Sequence, residues 1–267
     1  MTVKLAAAAA VWMAAAALAA GAAPAQASDW TVTLGGRAQA VVPYEGAGHE
    51  NLVPVPSIQV RRPGDPDRPT FPGDSLGVAL LRFGPLRLGP AARLRGARND
   101  TGDRAGLDKV HTAVEAGGFA TLWATRWLRL HVDGGRGVTG HSGWVVDGAA
   151  DLVARPGRWI LTAGPRIGWG DDRYMDTYFG LTAQEAAANA KVAALGGTAY
   201  EPGAGRRYLG ALGTAAYRIT PRWQVTANVG YHRLSDLAAL SPVVRAVGAA
   251  DEYSGGVGVR YSFGWSP

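Results

Sequence analysis

Tyr253-Ser-Gly-Gly-Val-Gly-Val-Arg-Tyr-Ser-Phe263, close to the end of the chain, alternates in character residue by residue. Taken in twos, Tyr253, Gly255, Val257, Val259, Tyr261 and Phe263 share one face. Ser254, Gly256, Gly258, Arg260 and Ser262 share the other. Strict alternation over this length is a β-strand with one apolar side, because successive Cβ atoms of a strand point to opposite faces. An aromatic-rich strand ending a chain suits the closing strand of an outer-membrane β-barrel, although an edge strand of a soluble sandwich would read the same way. The remaining sequence chooses between them.

At the other end, Lys4 gives a short positive start, Leu5–Ala23 is alanine-rich and apolar, and Ala25-Gln26-Ala27 forms an A-x-A cleavage site. This predicts a signal peptide over Met1–Ala27, with one exported domain over Ser28–Pro267. No later segment approaches the length of a membrane-spanning helix, so membrane residence must take the form of a barrel. The chain has no cysteine, which excludes disulfides and a lipid-carrying cysteine. Its formal charge of +6 is spread along the chain and forms no stripe suited to nucleic acid.

Between these ends the same alternation recurs. Trp30–Val42 carries Trp30, Val32, Leu34, Ala38, Ala40 and Val42 on one side, and Asn51–Arg62 carries Leu52, Pro54, Pro56, Ile58 and Val60. Two prolines in one strand predict an irregular or bulged ladder there. Leu86–Arg95 sets Leu86, Leu88, Pro90, Ala92 and Leu94 against Arg87, Arg93 and Arg95. Alternate arginines suit water, in a lumen or on a solvated sheet face, and not a dry sandwich core. Further strands are predicted over Val110–Leu122, Trp127–Val132, Trp144–Val153, Arg158–Trp169, Arg207–Ile219 and Trp223–Arg233. Gly134–Gly143 reads as a glycine-rich loop, and Ala183–Ala194 as a short helix within the longest connection.

Long polar connections alternate with tight turns such as Arg155-Pro156-Gly157 and Thr220-Pro221-Arg222, as in barrels with long outer loops and short periplasmic turns. Both termini on the periplasmic side require an even strand count. Splitting Thr70–Leu81 at Pro72-Gly73 supplies it. The expectation is an all-β, antiparallel transmembrane barrel of about twelve strands, with ten to fourteen admitted. Trp30, Trp123, Trp127, Trp144, Trp159, Trp169, Trp223 and Trp265 all fall at predicted strand ends, where indole rings favour the membrane interface.

Gly168-Trp-Gly-Asp-Asp-Arg-Tyr-Met-Asp-Thr-Tyr-Phe-Gly-Leu-Thr182 resembles the outer-membrane family that includes the MltA-interacting protein and outer-membrane protein V. Pro43-Tyr44-Glu45-Gly46, Leu52-Val-Pro-Val-Pro56, Leu86–Pro90, Ser241-Pro-Val-Val-Arg245 and Tyr261-Ser-Phe263 follow the same pattern in order. The resemblance implies a Gram-negative outer-membrane barrel surrounded by lipid. It also implies a non-enzymatic scaffold that links a lytic transglycosylase to a bifunctional penicillin-binding protein, a murein synthase. Porin-like and adhesive members of the family leave a small-solute channel or a surface adhesin as alternatives. The pattern ends on the aromatic at Phe263, whereas this chain continues with Gly264-Trp265-Ser266-Pro267.

The residues themselves point to no cofactor, metal or catalytic centre. Gly140-His141-Ser142-Gly143 looks like a nucleophile turn, but adjacency supplies neither a placed base nor an oxyanion hole, so a flexible outer loop is expected. Asp171, Asp172 and Asp176 lack a regular calcium-loop spacing. Arg37, Arg87, Arg93, Arg95, Arg129, Asp147, Asp151, Arg166 and Arg260 fall on the faces assigned inward. They are expected to line a polar lumen, either open to small anionic solutes or closed by mutual pairing.

Overall fold

A computed structural model describes residues 30–62, 69 and 71–265. The expected signal peptide, Met1–Ala27, lies outside them. The described chain is an antiparallel sheet of twelve strands: the last pairs with the first, the third and fourth both pair with the fifth, and the others pair with their neighbours in sequence. The strands are β1 (Trp30–Val41), β2 (Asn51–Arg61), β3 (Leu76–Gly77), β4 (Leu81–Phe83), β5 (Leu86–Arg95) and β6 (Ala113–Trp123). They continue as β7 (Leu128–Gly137), β8 (Trp144–Ala154), β9 (Trp159–Gly170), β10 (Gly205–Arg218), β11 (Trp223–Leu234) and β12 (Asp251–Trp265). β12 meets β1 from Trp30↔Trp265 to Ala40↔Gly255. This closing contact is what the alternation of Tyr253–Phe263 called for.

Alternation decides which side of the wall each residue takes. Along β9, Ile160, Thr162, Arg166, Gly168 and Gly170 are buried, while Trp159, Leu161, Ile167 and Trp169 are exposed. The exposed set, with Leu34, Ile58, Leu94, Val132, Leu152, Val229 and Val257 on other strands, makes an apolar outer band. Soluble monomers rarely expose a contiguous apolar band of this kind, and lipid is its natural solvent. Trp159 and Trp169 stand ten residues apart on β9. At about 3.3 Å per residue and a tilt near 40°, they are about 25 Å apart along the barrel axis, the height of an outer-membrane apolar band. Trp123 departs from the girdle pattern: it shares the inward parity of Glu115 and Thr121, and its ring lies 6.3 Å from that of Phe71.

Several expectations are corrected. β2 is regular, pairing with β1 without a break from Thr31↔Arg61 to Val41↔Asn51. Prolines at spacing two share an edge as well as a face. Both turn their donor-less nitrogens away from β1, where no ladder bond is needed. Gly134, Gly135 and Gly137 belong to β7, not to a loop. Gly117 faces Gly135 there, and a Cβ on Gly117 would fall 1.9 Å from the Gly134 carbonyl oxygen. The bulge sits instead in β10, where Arg206 and Tyr208 pair with consecutive residues Trp169 and Gly168, leaving Arg207 as the extra residue.

The break in Thr70–Leu81 also falls elsewhere. β3 and β4 lie end to end on β5, linked by Val78 N→Pro90 O and Leu80 N→Leu88 O. β2 and this pair run in the same direction, so the chain must climb between them. It climbs through the interior: Phe71 stands by Trp123 near the turns, Gly73 O accepts from Arg93 at 3.0 Å, and Asp74 meets Arg129. Pro69, Pro72 and Gly73 explain the choice, since they cannot sustain a ladder in the wall. Among the described residues no ladder joins β2 to β3 or β4, and the wall has a seam there.

Candidate functional site: a capped, charge-filled lumen

The long connections gather at one end of the barrel and fold into a cap. α1 (Asp172–Phe179) starts where Asp171 accepts from Tyr174 N at 2.9 Å, and it buries Tyr174, Met175, Tyr178 and Phe179. Those side chains pack on Tyr44, Val110, Val145, Tyr208, Leu234 and Val244. The predicted alanine-rich helix is two short ones, α2 (Ala183–Ala188) and α3 (Ala190–Ala194). A Thr182–Glu185 capping box starts the first, and Asn189 separates them and caps the second. Backbone hydrogen bonds from Thr182 and Asp108 outweigh burial and hold the Glu185 carboxyl below its usual range. α4 (Asp236–Ala239) and α5 (Pro242–Val247) complete the cap, with Ser241 Oγ donating to Phe179 O at 2.6 Å. Burial pushes the Tyr174 hydroxyl well above its ordinary pKa, against the opposing effect of Arg95.

Beneath the cap the interior is filled with paired charge. Glu45 reaches in from the Pro43–Gly46 turn to Arg95 at 2.9 Å and to Arg207. Gly46 (φ 86°) makes that turn, and its N–H is accepted by Glu252. Asp147 accepts from Arg93 at 2.7 Å, from the Tyr208 hydroxyl at 2.7 Å and from Arg207. Arg93 also reaches Asp133 at 2.8 Å, and Arg95 reaches Glu115 at 2.5 Å. Glu115 in turn contacts His141 Nε2 at 3.1 Å. Nearer the turns, Asp151 binds Arg129 at 2.7 Å and Arg166 at 2.6 Å, and the Arg129 guanidinium lies 3.8 Å from the centre of the Phe71 ring.

Arg207 shows how local sequence builds this network. A bulge places two successive side chains on the same side of a sheet, so Arg207 and Tyr208 both face inward, with Arg207 fully buried. Glycines opposite make the room: a Cβ on Gly168 would lie 2.4 Å from the Tyr208 ring, and one on Gly170 would lie 3.0 Å from Arg207.

Of the residues assigned inward from sequence, Arg93, Arg95, Arg129, Asp147, Asp151 and Arg166 come together in these ion pairs. Arg260 lies apart, donating to Gln224 at 3.3 Å and to Gln59. Arg37 borders a small space beside Pro69 and Pro72. Arg87 is half-buried near the turns, opposite Thr121. Sequence reasoning missed Glu45, Asp74, Glu115, Asp133, Tyr174, Arg207 and Tyr208. Glu45 and Tyr174 stood inside the motifs already singled out, which was the available signal. Arg207 was invisible because a bulge shifts parity. His141 is also no part of a flexible loop. Its side chain is buried edge-on to Tyr174 at 5.0 Å, while Ser142 stays exposed.

Asp171 and Asp172 are engaged with Tyr174 N and Ala204 N. No group of three His, Asp or Glu is placed to hold a metal among the described residues.

The fold and its filled interior define an antiparallel β-barrel of the outer-membrane type, with a cap over one mouth and ion pairs across the lumen. The chain belongs to the family described as MltA-interacting protein MipA, whose model matches residues 32–263. It is therefore an outer-membrane β-barrel protein of a Gram-negative envelope. No curated protein matches it. Among solved structures it is similar to an outer membrane channel from Pseudomonas putida F1, at 12% identity and TM-score 0.39, over 91% of this chain and 100% of the other. Neisserial surface protein A matches at 12% identity and TM-score 0.28, over 90% and 100%. The outer membrane protease OmpT from Escherichia coli matches at 10% identity and TM-score 0.30, over 90% and 99%.

Proposed function

We propose that this protein is a closed, non-enzymatic barrel that acts as a scaffold for murein-remodelling enzymes. The observation that carries the reading is the occupied lumen: the cap, segment 71–75 and the ion pairs use the space a solute would need. The family's description as MltA-interacting supports a lytic transglycosylase as the first partner. A bifunctional penicillin-binding protein is the second, by resemblance. Such partners work in the periplasm, so they would dock at the turn end, on segments such as 155–157 and 220–222. Against a hydrolase reading of His141–Ser142 stands their geometry: the His141 ring is buried against Tyr174 and Tyr178 with its Nδ1 unpartnered, while Ser142 is exposed.

Affinity co-purification from gently solubilised envelopes tests the scaffold. Recovery of a transglycosylase or synthase, lost when the turns are altered, is the expected result. Barrel recovered without periplasmic enzymes would sink it. The unpaired seam and the arginine-rich interior favour a small-solute channel as the second reading, and stepwise conductance in planar bilayers would establish it. Export by cleavage after Ala27 belongs to the same proposal, and amino-terminal sequencing of the envelope protein should begin at Ser28.

A further inference from the structure

Arg93, Arg95, Arg129, Arg166 and Arg207 are each met by a carboxylate in the lumen. Arg37 has no such partner among the described residues, and none of them accepts from its buried Nε. Its side chain lies across β12 because Gly258 stands opposite it there. A Cβ on Gly258 would fall 2.6 Å from the Arg37 Cβ. Arg37 thereby reaches a cavity of about 20 Å³ that Pro69 and Pro72 border from the interior. Asn228 reaches the same cavity from β11, and its buried Nδ2 also donates to no described residue. Gln224 and Arg260 lie on the polar side of this space, and no carboxylate lines it among the described residues.

Two buried donors and two guanidinium groups thus border one small space. A buried donor without an acceptor is destabilising, and a water would answer the hydrogen bonds without answering the charge. Volume sets the size of the occupant. One water-sized species takes about 10–15 Å³, so the cavity admits a monatomic ion and is too small for phosphate or sulfate.

We propose that Arg37 and Asn228 form a binding site for one small monovalent anion of halide size, with chloride as its natural occupant. The ion accepts from Arg37 Nε and Asn228 Nδ2. It enters from the turn end, where the mouth of the lumen is basic. Residues directly opposite on paired strands share a face, so Arg218, opposite the cavity residue Gln224, faces the lumen. Arg158, whose carbonyl accepts from Arg218 N at 2.9 Å, and Arg222, whose carbonyl accepts from Ser262 N at 2.8 Å, take the same side. A mouth of one sign of charge concentrates ions of the other.

Crystals of the detergent-solubilised protein grown in sodium bromide test the site by anomalous scattering. One bromide peak should lie within hydrogen-bond reach of Arg37 Nε and Asn228 Nδ2. In solution the unfolding midpoint should rise with the logarithm of chloride concentration at constant ionic strength, with gluconate, too large for the cavity, as the balancing anion. Arg37→Met should weaken the apparent chloride affinity about tenfold or more, the weight of one charge-assisted hydrogen bond. Arg37→Lys, which keeps the charge, should retain part of it. If Arg37→Met does not fold, Asn228→Leu replaces it, with reduced bromide occupancy as the readout. Three results would overturn the site: a cavity that holds water alone in bromide, a midpoint that responds alike to chloride and gluconate, or a chloride response that the folded variant leaves unchanged.

Discussion

Replacing Arg207 with methionine tests the bulge and the ion-pair network together. Arg207 is fully buried between Glu45 and Asp147, with its Nε donating to Trp169 O at 3.0 Å. Methionine keeps much of the volume and removes the charge and all of these donors. Asp147 would keep Arg93, Arg95 and the Tyr208 hydroxyl. Glu45 would keep Arg95 alone, and its Oε2 already has no hydrogen-bond partner. Breaking a buried pair from one side costs about 3–5 kcal/mol, because the remaining carboxylates stay desolvated without compensation. With a urea slope of about 2 kcal/mol per M, the unfolding midpoint should fall by about 1.5–2.5 M. The assay is equilibrium unfolding in detergent micelles or vesicles, followed by tryptophan fluorescence. Adding Glu45→Gln to Arg207→Met should restore part of the loss, since it removes the stranded charge. A single variant within 0.3 M of the parent, or a double variant losing the full sum of two single losses, would refute the reasoning (~0.5 kcal/mol is the limit of additivity).

Gly168→Ala should destabilise by about 1–3 kcal/mol in the same assay, the usual range for overpacking, because its Cβ would fall 2.4 Å from the Tyr208 ring. Phe71→Ala combined with Asp74→Ala removes two anchors of the lumen segment, the Arg129–Phe71 stack and the Arg129–Asp74 pair; planar-bilayer recordings should change from silent to conducting, and continued silence would count against that segment as the plug. Glu185 has a depressed folded-state pKa, so the stability it lends the cap is present above the unfolded carboxyl's value of about 4.3 and is lost as pH falls through the lower folded value. Amide exchange over 182–195 should accelerate below about pH 4, and Glu185→Gln should remove that pH dependence. Lipid-borne quenchers should quench Trp159 and Trp169, which are exposed on the outer face, in single-tryptophan variants, and leave Trp123 unaffected behind the wall.

The barrel wall was legible because its solvent is lipid outside and polar groups inside, so a period of two is written into nearly every strand. β9 and β12 show this most plainly, and even their partners could be ordered from the rhythm of short turns and long loops. Legibility failed where a residue's side is set by something other than parity. Arg207 faces inward because a bulge inserts it, and nothing in Gly205–Leu209 announces one. Segment 71–75 climbs the lumen and not the wall because Asp74 finds Arg129 on β7, some fifty residues away in sequence. Glu45 and His141 lie in loops, yet their partners belong to β5, β6 and β10. An alternating transmembrane wall, its two faces, its interfacial tryptophans and its family motifs are all written along the chain, because these are local or periodic properties. That the lumen is filled, by which charges, and with which motif folded over its mouth emerged from the fold alone, because pairing across a barrel depends on distances that no spacing in the chain encodes.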